Sequence, residues 1–219
     1  MSNIFIVGGA GKVARRLAQQ LSARGHQAFS LYRHPEQASE LKALGATAVL
    51  GNLLELDAKG LAERMVGCDV VVFCAGAGGK GGMEMTHAID GRGLEHAVAA
   101  AQLAGIARFV LVSAFPESFR AKQMPQSFEN YMAVKKMADV HLAESGLDWV
   151  ILRPGTLQDA PGTRKVRTGL AIPYGEVSRD DVAATLVEII DRPAVSRIII
   201  ELTQGETPVA ESIQRLERA

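Results

Sequence analysis

Two side chains that could move a proton together lie four residues apart on one predicted helix. Tyr131 and Lys135 fall within residues 129–146, whose pattern predicts a helix, so both lie on one of its faces. A phenol with the ordinary pKa of about 10 is a poor acid or base at neutral pH. A nearby ammonium favours the phenolate, so we expect Lys135 to lower the pKa of Tyr131 and permit proton exchange with a carbonyl or alcohol oxygen. The alternative is a chance match, because both residue types are common on exposed helices.

A serine at the end of a predicted strand is the third candidate for chemistry. Residues 108–113 read Arg-Phe-Val-Leu-Val-Ser, and Ser113 closes this strand. Open α/β sheets bind ligands beyond the carboxyl ends of their parallel strands. Ser113 is therefore a candidate hydrogen-bond donor to a substrate oxygen, and an ordinary strand-end serine is the alternative.

The first residues of the chain predict the element that would hold a cofactor beside these groups. Residues 4–7 are an unbroken apolar run, typical of a strand buried on both faces. Gly8, Gly9 and Gly11 follow, and apolar residues then recur at helical spacing, which predicts a strand, a tight turn and a helix. The free N–H groups and the dipole at the start of such a helix favour a pyrophosphate. A purely structural turn is the alternative, because glycines also close ordinary strand–helix connections.

The residue after the second predicted strand, residues 27–32, bears on which dinucleotide is bound. An NAD site usually supplies an acidic residue here to the ribose hydroxyls, whereas this chain has Arg33 and no acid before Glu36. A cation at this place would pair with a 2′-phosphate, which favours NADP, with NAD as the other possibility. A solvated arginine at a strand end is the alternative interpretation.

The most glycine-rich stretch of the chain follows the fourth predicted strand. Residues 76–82 read Gly-Ala-Gly-Gly-Lys-Gly-Gly and come after the apolar residues 69–75. Because this position is again the carboxyl end of a parallel strand, we expect the stretch to lie on the cofactor side. A plain flexible connector is the alternative.

The composition excludes several classes of function. Lys plus Arg and Asp plus Glu number 24 each in the 219 residues, so there is no global basic field to attract nucleic acid. The sequence has no 18-residue apolar run and no secretion signal, so we expect no membrane span and a cytoplasmic protein. Cys68 and Cys74 fall near an apolar strand and are interpreted as buried thiols rather than a disulfide or a metal site.

Strand and helix patterns alternate along the chain, which predicts one doubly wound α/β domain over residues 1–219. The expected sheet is mainly parallel with the order 3-2-1-4-5-6 and helices on both faces, the Rossmann arrangement. Residues 154–177 are rich in glycine, proline and charge, and are expected to form a small substrate-side segment. The sequence leaves the oligomeric state open.

Taken together, these motifs resemble the short-chain dehydrogenase/reductase superfamily, in its atypical epimerase-like and flavin-reductase-like branch. The resemblance covers essentially the whole chain and includes Arg153-Pro154-Gly155, a stretch that passes near the nicotinamide in that family. It implies Ser113, Tyr131 and Lys135 as the catalytic set. The cofactor contacts that it implies are Gly8, Gly9, Gly11, Lys12, Val13, Arg33, Asn52, Leu53, Ala75, Gly76, Lys135, Pro154 and Gly155. Asn52 stands where many relatives carry an aspartate near the adenine.

Two functions of different class follow from this resemblance. The first is an NADP-dependent oxidoreductase that transfers a hydride between nicotinamide and a small carbonyl, quinone or flavin-like substrate. The second is a non-catalytic NADP-binding redox sensor that acts through a protein partner, since atypical members include proteins that bind the cofactor without turnover. Neither needs a metal ion.

Overall fold

A nine-stranded, mainly parallel sheet forms the centre of the computed structural model, which describes residues 1–119 and 122–217. The described residues form eleven strands, two of which lie outside this sheet. In chain order the strands are β1 (Asn3–Val7), β2 (Gln27–Tyr32), β3 (Thr47–Leu50), β4 (Val70–Phe73), β5 (Arg108–Val112), β6 (Asp148–Pro154), β7 (Thr156–Gln158), β8 (Lys165–Gly169), β9 (Glu176–Ser178), β10 (Ile198–Gln204) and β11 (Thr207–Pro208).

Helices cover both faces of this sheet. In chain order they are α1 (Lys12–Ala23), α2 (Ala38–Ala43), α3 (Ala58–Met65), α4 (Gly82–Thr86), α5 (Gly93–Leu103), α6 (Gln126–Glu144), α7 (Arg179–Asp191) and α8 (Val209–Gln214), with a 3₁₀ turn at Pro35–Gln37 and a π-helical turn at His87–Arg92. Helices α1, α7 and α8 pack against one face, and α3, α5 and α6 pack against the other. Among the described residues, none of these helices is long and apolar enough to cross a membrane.

The predicted strand order is confirmed. The sheet runs β11-β8-β10-β6-β5-β4-β1-β2-β3, so its central part has the order 3-2-1-4-5-6, and all the pairs within that part are parallel. β10 extends the sheet beyond β6 in parallel, and β8 and β11 add an antiparallel edge that the sequence did not predict. A separate parallel pair, β7 and β9, lies outside this sheet.

The first strand illustrates why the centre of the sheet is stable. Ile4 and Ile6 lie in the core on the α1 and α7 side, while Phe5 and Val7 lie in the core on the α3 and α5 side. All four side chains are fully buried, as the unbroken apolar run predicted. The carboxyl ends of β1, β4 and β5 therefore meet at one well-anchored edge.

Two segments need the structure to define them. The pattern of residues 83–105 predicts a long helix whose first half is irregular, because Gly91 and Gly93 follow Asp90. The structure has α4, the π-helical turn with Asp90 buried in it, and α5 over this stretch. The expected substrate-side segment over residues 154–177 contains β7, β8 and the start of β9.

Candidate functional site

The glycine turn after β1 is pressed between two neighbouring strands. Gly8 has φ +80°, and a Cβ added there would lie 2.6 Å from Cα of Ala75. A Cβ on Gly9 would lie 2.6 Å from Cβ of Ser30, and the Gly9 N–H donates to the carbonyl of Leu31 at 2.8 Å. The turn thus requires glycine at both positions for reasons of backbone geometry and close packing.

Helix α1 begins directly after this turn and leaves its first N–H groups available. Gly11 is the N-cap residue and supplies no side chain, and the first turn of the helix contains no acidic residue. Positive partial charge from the helix dipole is therefore not neutralised within that turn. This is the environment that an anionic phosphate group requires.

A cleft of two adjoining cavities lies along the carboxyl edge of the sheet. We call the larger, of about 740 Å³, the tyrosine cavity, and the smaller, of about 630 Å³, the arginine cavity. The tyrosine cavity is lined by the candidate residues Gly11, Lys12, Val13, Ala75, Gly76, Ser113, Tyr131, Lys135, Pro154 and Gly155. The arginine cavity is lined by Gly8, Gly11, Lys12, Arg33, Asn52, Leu53, Ala75 and Gly76. Gly9 lines neither cavity, in keeping with its contact with β2.

The three proposed catalytic side chains meet in the tyrosine cavity. The Oγ atom of Ser113 is buried and has no hydrogen-bond partner among the described residues. Lys135 is buried; its Nζ donates to the carbonyl of Val112 at 3.1 Å and lies 3.7 Å from Oδ1 of Asp90. The unpaired serine hydroxyl is available to a ligand oxygen, because a buried polar group without a partner is costly.

The pKa of Tyr131 departs from the expected direction. Burial raises it above the ordinary value, and the carboxylates of Asp90 and Asp139 raise it further. Our expectation that Lys135 lowers this pKa is therefore wrong for the ligand-free protein. The ammonium is turned to the Val112 carbonyl and the Asp90 carboxylate, so its charge is already compensated.

Asp90 is the site residue that sequence reasoning missed. Its Oδ2 accepts the N–H of Ala77 at 2.9 Å, and the side chain is only 2% exposed and lines the tyrosine cavity. The carboxylate thus connects the loop after β4 to Lys135 on α6. The signal available in the sequence was an acid between Ile89 and Gly91, at the point where glycines interrupt a predicted helix.

Arg153, the first residue of the Arg-Pro-Gly stretch, is turned away from the cleft. Its Nε and Nη2 atoms donate to Oδ2 of Asp139 at 3.0 and 2.8 Å, and both side chains are buried. Pro154 and Gly155 are the members of this stretch that line the tyrosine cavity. The Arg153–Asp139 pair joins α6 to β6 and so supports the helix that carries Tyr131 and Lys135.

Aromatic rings form the outer part of the tyrosine cavity. The ring of Tyr174 lies 5.5 Å from that of Phe115 and 6.0 Å from that of Phe119, measured between centroids. Phe128 lies 5.8 Å from Phe119 and 6.2 Å from Tyr131. Three separate segments of the chain therefore supply one aromatic wall.

The charges along the cleft are unevenly distributed. Asp159 contacts Lys12 Nζ at 2.5 Å and Arg179 Nη1 at 2.9 Å, and the pKa of its carboxyl is lowered chiefly by the hydrogen bond from Lys12. Both cations line the tyrosine cavity. The residues that line the arginine cavity include no aspartate or glutamate. A phosphate at Arg33 would thus meet positive charge alone.

The two cysteines are free thiols. Burial raises the pKa of Cys68 to about 11 and that of Cys74 to about 12, although Cys74 lines both cavities. Within residues 1–119 and 122–217, no three histidine, cysteine or acidic side chains are grouped so that they could hold a metal ion.

Comparison with known proteins places this geometry in context. Residues 8–193 match the model of a family described as NAD(P)H-binding. YhfK of Bacillus subtilis, named as an uncharacterized sugar epimerase, is 36% identical over 97% of this chain and 99% of its own length.

Solved structures share the fold. A Bacillus halodurans protein described as a candidate NAD-dependent epimerase/dehydratase superposes with a TM-score of 0.90 at 32% identity, over 99% of this chain and all of its own. A short-chain dehydrogenase/reductase of Veillonella parvula in complex with NADP superposes with a TM-score of 0.69, over 94% of this chain and 96% of its own. At 21% identity the latter similarity shows the fold alone.

Proposed function

We propose, on the premise that this chain belongs to the NAD(P)H-binding family, that it is an NADP-dependent oxidoreductase. The reaction is hydride transfer between the nicotinamide and a small, flat substrate, either a carbonyl compound, a quinone or a flavin-like molecule. The observation that carries this proposal is that Ser113, Tyr131 and Lys135 line one cavity beside Pro154 and Gly155.

The cleft fits a dinucleotide in both shape and charge. The glycine turn brings backbone close to the cleft, α1 offers free N–H groups, and the two cavities share a boundary at Gly11, Lys12, Ala75 and Gly76. In this arrangement the pyrophosphate binds at the shared boundary, the adenosine in the arginine cavity and the nicotinamide in the tyrosine cavity. Arg33 and the lack of lining carboxylates support the phosphorylated cofactor.

The protein groups supply a proton and hold the reacting oxygen. When bound, a reduced nicotinamide would supply a hydride, which for a carbonyl substrate adds to the carbonyl carbon. The hydroxyl of Tyr131 donates its proton to the substrate oxygen, and the O–H of Ser113 hydrogen-bonds the same oxygen. The phenol is protonated at neutral pH, so Tyr131 acts there as a proton donor, in the direction of reduction; its raised pKa makes it a weaker acid than an ordinary tyrosine. The phenolate left behind regains a proton from solvent.

The aromatic wall favours a flat, conjugated substrate over a sugar. Five of the eleven aromatic residues of the chain, Phe115, Phe119, Phe128, Tyr131 and Tyr174, line the tyrosine cavity. Rings present apolar faces that stack on planar ligands, while a sugar needs many polar partners. This wall is the reason to test quinones and flavins beside simple carbonyls.

The test is a screen for oxidation of NADPH and NADH with carbonyls, quinones and flavins, followed by Tyr131→Phe. Removal of the hydroxyl should lower kcat by about 10²–10⁴-fold, the usual contribution of a general acid, while the Kd of the cofactor stays unchanged. Thermal unfolding of both proteins controls for folding. Full activity in Tyr131→Phe would show that the proton comes from elsewhere, as in hydride transfer to a flavin.

A non-catalytic NADP-binding regulator is the second candidate. It is favoured by the pairing of Lys135 with Asp90, which leaves Tyr131 without an activating cation in the ligand-free protein. Tight NADP binding with no turnover across the whole screen would support this function. Turnover that depends on Tyr131 would eliminate it.

A further inference from the structure

The glycine-rich loop after β4 carries a single long side chain. Within residues 76–82, Lys80 is the one residue with atoms beyond Cβ. Gly78, Gly79, Gly81 and Gly82 all have positive φ, between 60° and 76°, a region that other residues rarely adopt. A Cβ added at Gly78, Gly79 or Gly82 would meet nothing within 4 Å, so much of the loop stands clear of the protein.

Lys80 and Arg33 approach the same cavity from different elements. Arg33 follows β2 and Lys80 lies in the loop after β4, and both line the arginine cavity. Both residues are exposed, and neither side chain forms an ion pair or a hydrogen bond with the described residues. The cavity between them also lacks a lining carboxylate.

The remaining cations of the cleft each lie beside a carboxylate. Lys12 and Arg179 share that of Asp159, and Lys135 lies beside Asp90. Among the described residues that line the cleft, Arg33 and Lys80 are therefore the cations without a carboxylate partner, and both line the arginine cavity. A phosphate group carrying two negative charges would be bound there by two cations, which is stronger than binding by Arg33 alone.

We propose that Lys80 is a second cation for the 2′-phosphate of NADP, and that its engagement orders the glycine-rich loop. This inference rests on the proposed preference for NADP. Gly78, Gly79 and Gly82 line the tyrosine cavity, whereas Lys80 lines the arginine cavity. Binding of Lys80 to a phosphate restricts the backbone motion of the glycines on either side of it. The phosphorylated cofactor thereby fixes the part of the tyrosine cavity that these glycines line.

The first experiment compares adenosine 2′,5′-bisphosphate with 5′-AMP by calorimetry, since these probes differ by the 2′-phosphate alone. The proteins are wild type, Lys80→Gln, Arg33→Gln and Lys59→Gln. Lys59 is an exposed lysine of α3 that lines neither cavity, so its variant controls for the loss of one charge. Lys80→Gln should raise the Kd of the bisphosphate about tenfold and leave that of 5′-AMP unchanged.

The outcomes separate the two proposals. Equal affinity of the wild type for both probes would overturn the NADP preference and the role of Lys80 with it. A wild-type preference that Arg33→Gln removes and Lys80→Gln retains would overturn the role of Lys80 alone. Equal effects of Lys80→Gln and Lys59→Gln would do the same, because the effect would then be one of net charge.

The second experiment measures amide hydrogen exchange across residues 76–82. The bisphosphate should slow exchange in this loop, 5′-AMP should not, and Lys80→Gln should remove the difference. Slowing by both probes to the same extent would show that the loop responds to the adenosine rather than to the phosphate at Lys80.

Discussion

Two causes can require glycine in the turn after β1, a positive φ and the close approach of another part of the chain. Three glycines of this turn and Gly25, which follows α1, allow the two causes to be separated. Gly8 has both a positive φ and a close approach to the backbone of Ala75. Gly9 has only the close approach, 2.6 Å to Cβ of Ser30, and Gly25 has only the positive φ, +81°, with open space around its Cβ position. Gly11 has a φ of −71°, and a Cβ there would make one milder contact, 3.2 Å to the Gly8 carbonyl oxygen. Alanine at each position therefore tests one combination.

The expected losses in the free energy of unfolding follow from these contacts. The left-handed conformation costs an alanine about 1–2 kcal/mol, which is the full effect expected for Gly25→Ala. Overpacking against fixed backbone costs about 1–3 kcal/mol, which is the effect expected for Gly9→Ala. Gly8→Ala combines both causes, so we expect a loss of about 2–5 kcal/mol. Gly11→Ala should cost less than about 1 kcal/mol, since it only replaces glycine by alanine at an N-cap.

Urea unfolding at 25 °C measures these values, and titration with NADPH measures cofactor binding in the same proteins. Gly11 lines both cavities, so Gly11→Ala should fold normally and bind NADPH poorly, while Gly25→Ala should be destabilised and bind normally. A Gly8→Ala variant no less stable than Gly25→Ala would refute the reasoning. It would mean that the glycine turn and the residues after β4 can move apart at little cost in free energy, so that the turn is not held rigidly.

Two further predictions concern buried charged and titratable groups. The pKa of Tyr131 is raised, so its phenol should stay protonated up to about pH 10. Absorbance titrations of wild type and Tyr131→Phe measure this, because their difference reports the tyrosinate of Tyr131 alone. The unfolded chain releases this proton at about pH 10, so the contribution of Tyr131 to the free energy of unfolding should be constant below that pH and fall above it. Ionisation of Tyr131 in the folded protein below about pH 10 would contradict the argument that burial raises its pKa. Asp139→Ala leaves the buried guanidinium of Arg153 without its carboxylate and should lower the free energy of unfolding by about 3–5 kcal/mol, with Asp139→Asn affected less because its amide oxygen still accepts. Equal unfolding midpoints in urea for wild type and Asp139→Ala would show that this pair does not hold α6 against β6.

The sequence by itself determined the central sheet and the first residues of two helices. The apolar run from Ile4 to Val7 is buried on both faces. Asp57 and Ser178 are residue types that cap helices, and each accepts the backbone N–H three residues on, at the start of α3 and of α7. These features depend on neighbours along the chain: on the alternation of side chains in a strand and on backbone N–H groups three residues away. The position of Tyr131 and Lys135 on one helix face is local in the same sense.

Only the tertiary structure decided what surrounds that pair. Asp90 lies beside Lys135 because the π-helical turn and the loop after β4 bring it there. The phenol of Tyr131 is consequently harder to ionise than its spacing from Lys135 predicted. The antiparallel edge of β8 and β11 and the aromatic wall likewise join segments far apart in the chain. A pKa or a cavity wall depends on every charge and surface within a few ångströms, and that set of neighbours is fixed by packing rather than by spacing along the sequence.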